Sequence, residues 1–205
     1  MIQQVNVALK ILGLSFRDVW QEMWTILIVH LLFLFGNILI IPGPPVTLAL
    51  FFYGNKIAHG ETANERDFLE AIRKYWKPAW RWGLINLSVI GLLTGDYYLI
   101  GKMTDNSNMT YFIQGMYITF LAGWLLVQLF TLPFLFEQKH PSVFQALRNA
   151  AVFIGRNLIL VVVLTLLLGL SLTAGTLAFM LTFVFGGAFV AFASNRAVLE
   201  HLADQ

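Results

Sequence analysis

Six residues of this 205-residue chain place a polar or turn-forming side chain within or beside apolar sequence, and they are the candidate binding residues: His30, Asn37, Pro45, Thr47, Asn55 and Asp96. Polar groups inside apolar segments are costly to bury and commonly mark ligand or proton sites. A histidine such as His30 either shuttles protons or hydrogen-bonds to a neighbouring helix. Asp96 precedes two tyrosines, so it either binds a substrate or belongs to an aromatic belt at a membrane surface.

Pro45 and Thr47 belong to the segment PGPPVTLALFFYGNKIAHGE, residues Pro42–Glu61, which interrupts a long apolar region. Proline fits a turn and the first turn of a helix, where its missing N–H removes no needed hydrogen bond. A broken helix can also expose backbone groups to a ligand. Two interpretations of this segment therefore stay open, a connecting turn and a turn that binds a solute.

Residue patterns that carry catalysis or bind metals are missing from the sequence. The chain has no cysteine, which excludes thiolate metal sites and cysteine nucleophiles. Its four histidines are widely separated, and it has neither a phosphate-binding loop nor a nucleophile elbow. The sequence therefore predicts a protein that is not an enzyme and that holds neither a cofactor nor a metal.

The composition is that of a membrane protein. Apolar residues make up 58% of the chain, charged residues 12%, and the mean hydropathy is +0.73. Soluble domains are about 45–50% apolar and about 25% charged. A net charge of +2 is too small to indicate nucleic-acid binding. We therefore expect a single all-α integral membrane domain over residues 1–205.

Apolar runs predict six transmembrane helices over residues 24–41, 44–58, 82–101, 111–136, 157–173 and 174–193. The second is the shortest, with about 22 Å of helix against a hydrocarbon core of about 30 Å. Lys and Arg concentrate in cytoplasmic segments. With six crossings and both termini inside, all 13 of these cations except Lys102 lie on the cytoplasmic side. We therefore expect three up-down hairpins, with residues 42–45 as an external turn.

Amphipathic helices are predicted on the cytoplasmic surface before each hairpin. In the first, Leu9 and Phe16 lie on an apolar stripe, which we expect to rest on the membrane. The second begins near a possible capping box of Thr62 and Glu65. In the third, the stripe includes Phe144.

The three hairpins resemble one another in sequence. The segments DFLEAIRK (Asp67–Lys74) and SVFQALRN (Ser142–Asn149) align without gaps, and the pair Asn55-Lys56 matches Asn195-Arg196. Repeat units over residues 1–58, 62–136 and 141–197 follow from this alignment. Similar composition alone also produces such matches among membrane helices, so both explanations stay open. In the third span, Gly91 and Gly95 form a G-x-x-x-G pattern that favours close helix packing, including self-association.

Two motifs resemble those of the YesL-like bacterial membrane proteins. The first is P-x-T-x-A-L-F-F at Pro45–Phe52 with His59-Gly60-Glu61 after it, and the second is H-P-x5-L-R-N-A at His140–Ala150. Together with chain length and span number, the resemblance covers most of the chain. It departs at Pro44 and Val46, where the family tends to have Gly and Ala, and at His59, where the family tends to have Arg or Lys. The family's biochemical function is unknown, and its members are often associated with carbohydrate transporters of the ATP-binding cassette (ABC) type.

The resemblance implies an accessory or regulatory partner of a carbohydrate transport system, located in the bacterial plasma membrane. Its expected partners are the lipid bilayer and subunits of an ABC transporter. The alternative is a small-solute transporter or channel, which the repeats and the broken helix at Pro42–Pro45 would suit.

Overall fold

The structure, a computed structural model, describes residues 2–103, 107–177 and 180–203. Nine helices follow one another in these ranges: α1 (Ile2–Gln21), α2 (Met23–Ile38), α3 (Gly43–Ala58), α4 (Glu65–Lys74), α5 (Trp76–Met103), α6 (Ser107–Phe136), α7 (Val143–Arg156), α8 (Leu158–Leu177) and α9 (Met180–Ala203). The described ranges contain no strand. The prediction of an all-α protein is therefore confirmed for this part of the chain.

Two helices are long and apolar enough by themselves to cross a membrane, over Trp76–Lys102 in α5 and Asn108–Phe136 in α6. Two further spans result if each bent helix pair counts as one: α1 with α2, which meet at 93°, and α7 with α8, which meet at 99°. The described residues thus contain two to four candidate spans. This fits the predicted membrane class, whereas the predicted number of six is not reached on these criteria.

Because of these right-angle bends, the amphipathic helices α1 and α7 lie across the N-terminal ends of the apolar helices α2 and α8, respectively. In α1 the side chains of Leu9 and Phe16 are exposed, whereas Ile11 and Asp18 are buried against the protein. In α7 the stripe is likewise divided, with Phe144 exposed and Val143 buried. Each of these helices therefore has one exposed apolar face and an adjacent face packed on the chain.

The start of α4 is fixed by a capping box that the sequence analysis misplaced. The side chain of Asn64 accepts hydrogen bonds from the backbone N–H groups of Arg66 and Asp67, and the Asp67 carboxylate accepts one from the Asn64 N–H. Asn64 and Asp67, rather than Thr62 and Glu65, satisfy the free donors at this helix end. The prediction was off by two residues because several residues in this segment can cap a helix.

Helix α3 lies at the centre of the fold, with 11 of its 16 residues buried. It runs antiparallel to α5: an added Cβ at Gly83 would lie 2.7 Å from Pro44, and the rings of Phe52 and Tyr75 are 5.4 Å apart. The missing side chain at Gly83 allows the two helices to approach closely. These two contacts fix the register of α3 on α5.

Helices α5 and α6 form a hairpin that extends well past the start of α3. Trp82 hydrogen-bonds to Gln128 near its base, and the Gln114 side chain donates to the Tyr97 carbonyl further along. From Gly83, beside the start of α3, α5 continues for about 28 Å to Lys102 at 1.5 Å per residue. None of the residues in the apolar window of α5 is buried within the chain. The outer part of this hairpin is therefore open to its surroundings.

The glycines of α5 give a matched test of this packing. We expect Gly83→Ala to lower the free energy of unfolding in detergent by about 1–3 kcal/mol, because the new methyl group overlaps Pro44. Gly91→Ala on the same helix is the control. No atom lies within 4 Å of a Cβ there, so helix propensity alone acts and stability should hold or rise. Equal effects of the two substitutions would contradict the register described here.

Candidate functional site

A buried ion pair joins the two ends of the described chain. Arg196 on α9 donates from Nε to Asp18 Oδ2 at 2.9 Å and from Nη2 to Asp18 Oδ1 at 3.1 Å. Only 4% of Asp18 is exposed. A two-pronged bond between a guanidinium and a carboxylate fixes orientation as well as distance. The pair therefore holds the end of α1, just before its 93° bend, against α9.

Asn195, the neighbour of Arg196, joins α9 to α3. Its Nδ2 donates to the Phe51 carbonyl at 3.2 Å and to the Ala191 carbonyl at 2.7 Å. Next to it, the rings of Tyr53 and Phe192 stack with centroids 6.1 Å apart. The asparagine amide thus bonds to the backbone of a second helix inside a packed aromatic environment.

Asn55 and Lys56 make the corresponding contacts from α3. Asn55 Nδ2 donates to Glu137 Oε1 at 2.6 Å, just after the end of α6, and Lys56 Nζ lies 3.1 Å from Asp67 Oδ1 on α4. His59 is close by, with Nδ1 2.9 Å from the Asn55 carbonyl and Nε2 3.6 Å from Glu137 Oε1. The protonated imidazole would donate toward both oxygens.

Burial and hydrogen bonding shift the pKa of Asp67 in opposite directions. Desolvation alone would raise its pKa, but the Asn64 N–H bond and the adjacent Lys56 ammonium outweigh this and lower the pKa below its usual range. Asp67 is therefore ionised at neutral pH, so its contribution to stability is present above the ordinary pKa of aspartate and is lost as the pH falls through the lowered value.

We refer to Asp18, Asn55, Lys56, Asp67, Glu137, Asn195 and Arg196 as the helix-end cluster. Within it, each asparagine bonds to a neighbouring helix or its end, and the cation after it pairs with an aspartate of α1 or α4. The sequence identified the two asparagine–cation pairs but not the aspartates. A signal for the aspartates was present, since both follow an arginine, as Arg17-Asp18 and Arg66-Asp67.

The six candidate binding residues do not form one site. Asn55 belongs to the helix-end cluster, whereas Asp96 is exposed on the outer part of α5. His30 is buried between α2 and α9, where its ring is 3.0 Å from a Cβ added at Gly187. These three residues lie on separate helices, α2, α3 and α5, and at different levels along the helix bundle.

The other three candidates lie at the turn between α2 and α3. The Asn37 side chain donates to the Phe33 carbonyl at 2.9 Å, and Thr47 Oγ1 donates to the Gly43 carbonyl at 2.9 Å. Pro45 is buried in the first turn of α3. The Asn37 bond is made within α2 and the Thr47 bond within α3. These side chains therefore contribute to helix and turn structure.

A second polar group, which we call the α5–α6 amide cluster, lies between the two long candidate spans. Gln128 Oε1 accepts from Trp82 Nε1 at 2.8 Å and from Asn86 Nδ2 at 3.2 Å, and Asn86 Oδ1 accepts from Trp124 Nε1 at 3.0 Å. Gln128 Nε2 is buried and has no hydrogen-bond partner among the described residues. The cluster therefore retains one unused donor between two apolar helices.

Helix α7 borders an open groove of about 770 Å³ that carries positive charge. Arg148 and Arg156 line it together with Asn149 and His201, while Phe144 and Phe134 supply apolar surface. Among the described residues, no carboxylate lines the groove and no side chain forms a salt bridge with either arginine. We call it the arginine groove. Within the described residues, no group of three or more His, Asp or Glu side chains is placed to hold a metal.

The helix-end cluster predicts a large difference between two ion pairs. We expect Arg196→Ala to lower the free energy of unfolding by about 3–5 kcal/mol, because it removes both hydrogen bonds to the buried Asp18 carboxylate and leaves it only the 3.7 Å contact with the exposed Arg17. Lys10→Ala breaks the exposed Lys10–Glu200 pair, at 2.6 Å, and should cost less than about 1 kcal/mol. Denaturant titration in detergent would measure both. Similar small losses for the two variants would contradict the assigned role of the buried pair.

Comparison with known proteins does not place the chain in a family. No protein-family model matches it, and neither the curated proteins nor the solved structures contain a match. The resemblance to the YesL-like proteins stays a prediction from the motifs.

Proposed function

We propose that this protein is a non-enzymatic, multi-spanning protein of the bacterial plasma membrane that serves as an accessory partner of a carbohydrate transport system. The arginine groove is the observation that carries the docking role, because Arg148 and Arg156 line it and form no salt bridge with a described residue. The carbohydrate assignment rests on the motif resemblance alone.

The proposed orientation places both termini and the amphipathic helices in the cytoplasm. The 13 Lys and Arg residues support it, since only Lys102 falls on the opposite side when three hairpins enter the membrane from the cytoplasm. The helix-end cluster is consistent with this orientation, because its charged members lie together at one end of the bundle. Six crossings result if each hairpin passes through the whole bilayer, and the repeat units remain part of this proposal.

The arginine groove suits an acidic segment with an apolar anchor, such as a helix on a cytoplasmic subunit of an ABC transporter. Arg148 and Arg156 are two turns apart on α7, and exposed Phe144 lies one turn before Arg148. Complementary charge of this kind orients partners and speeds their association. An apolar side chain beside the cations supplies the desolvated contact on which binding energy concentrates.

Co-purification tests the docking role. We expect tagged wild-type protein, extracted in mild detergent from cells grown on the inducing sugar, to enrich transporter subunits. The double variant Arg148→Glu/Arg156→Glu should lose this enrichment. Arg73→Glu/Lys77→Glu changes the charge equally at exposed positions outside the groove and should keep it.

Three results would contradict the docking role. One is that wild type enriches no transporter subunit. Another is that both double variants lose the subunits equally, which would indicate a general charge effect. The third is that the groove variant loses only co-purifying anionic phospholipid and keeps the subunits, which would make the groove a lipid site.

The α5–α6 amide cluster favours the alternative of a small-solute transporter or channel. Its unused Gln128 donor and the Trp82 and Trp124 rings are groups that bind hydroxylated solutes such as sugars. The cluster lies inside the only two helices of the described residues that qualify individually as spans. This arrangement suits a polar site within the membrane.

Flux measurements separate the two functions. For an accessory protein we expect no flux of sugars or ions into proteoliposomes that contain the purified chain alone. For a transporter we expect flux that Gln128→Leu abolishes. Gln114→Leu, on the same helix but outside the amide cluster, is the control and should retain that flux.

A further inference from the structure

The turn between α2 and α3 presents an unbroken apolar surface. Ile38, Leu39, Ile40 and Ile41 are consecutive and are 65–77% exposed, and Phe35 one turn earlier is 65% exposed. An aqueous turn is normally built from Gly, Pro, Asn, Asp or Ser, and here only Pro42–Pro45 fits that pattern, whereas the four preceding residues are all aliphatic. No Asp, Glu, Lys or Arg occurs between Glu22 and Lys56, so the hairpin carries no such charge except Lys56 in the last turn of α3. Its tip is the least polar part.

Measured along the α5 axis, the tip lies well short of the far end of the α5–α6 hairpin. Pro44, at the start of α3, packs against Gly83, and α3 then runs back alongside α5 to the level of Tyr75. Beyond Gly83, α5 continues for about 20 Å before its next charged residue, Asp96. If α5 crosses the membrane, the turn therefore lies short of the far surface.

The backbone of the turn has no N–H group left for water. The N–H groups of Leu39, Ile40 and Ile41 donate to the carbonyls of Phe35, Asn37 and Leu39, respectively. At the start of α3, Gly43 donates to the Ile40 carbonyl and Val46 to that of Pro42. The remaining residues of the turn, Pro42, Pro44 and Pro45, have no N–H at all. A helix start normally leaves several donors unsatisfied, and the hydrocarbon core does not tolerate them.

Ile40 is an apolar, branched residue in a backbone conformation that such residues disfavour. Its φ is +61°, in the left-handed region that branched side chains rarely adopt and that glycine or asparagine adopts easily. An exposed isoleucine at this position serves no packing within the chain. Contact with lipid acyl chains gives its side chain an apolar environment.

From these observations we propose that α2, the turn and α3 form a re-entrant hairpin whose tip contacts acyl chains within the hydrocarbon core. The chain then crosses the membrane four times, through α5, α6, α8 and α9, and the first hairpin returns to the side from which it entered. The side of every charged residue stays the same as with six crossings, so the charge distribution is equally well explained. This inference is independent of the docking role.

Depth measurements on spin-labelled protein test the proposal. The natural chain has no cysteine, so Ile40→Cys, Leu92→Cys and Lys102→Cys each give a single labelling site. In proteoliposomes we compare collisions of the label with oxygen, which concentrates in hydrocarbon, and with a water-soluble nickel chelate. We expect the labels at position 40 and at position 92, midway along the outer part of α5, both to lie within the hydrocarbon core. Both should show a severalfold higher oxygen-to-nickel ratio than the label at 102.

Two results would overturn the proposal. Nickel access at position 40 equal to that at 102 would place the turn at an aqueous surface, as six full crossings require. Low access to both oxygen and nickel at position 40 would mean that protein covers the tip. Ile38→Cys is a second label on the same turn, and unchanged circular dichroism and melting temperature of each variant would exclude misfolding.

Discussion

The buried pair of Asp18 and Arg196 is the interaction on which the arrangement of the helices depends. It fixes α1 to α9, and α9 is fixed in turn to α3 through the Asn195 amide. A carboxylate that is 4% exposed cannot lose its cation without a large penalty in free energy. The bend after α1, the foot of α2 and the end of α9 are therefore held at one point, from which the three hairpins extend.

The three hairpins use this common base in different ways. α5 and α6 leave it as two long helices joined by the amide cluster, with most of their outer surface free. α2 and α3 rise beside them, and the central position of α3 leaves few of its residues for contact with lipid. A close approach at Gly83 fixes how high Pro44 lies on α5. The three hairpins thus start from the same group of helix ends. How far each hairpin extends from these ends depends on its own packing.

The matching positions of the hairpins have related environments. Phe68 and Val143 are aligned in the sequence, and both are buried, as are Ala71 and Ala146. The Asn55-Lys56 and Asn195-Arg196 pairs each bond to a neighbouring helix and to an aspartate of an amphipathic helix. The end of the α5–α6 hairpin differs, because the corresponding hydrogen bond there is the neutral one that Gln138 Oε1 accepts from the Ser142 N–H.

The sequence by itself determined the membrane class of this protein and its helical secondary structure, because hydropathy and periodicity are local properties. It also identified the asparagine–cation pairs, although not Asp18 and Asp67, which lie far from those cations along the chain. Only the tertiary structure decided which face of α1 and α7 is buried and how high the proline turn lies beside α5. Apolar residues occur on both faces of an amphipathic helix at a membrane surface, since one meets lipid and the other meets protein. The sequence pattern does not distinguish these two apolar environments, whereas the contacts of Gly83 and Asp18 do.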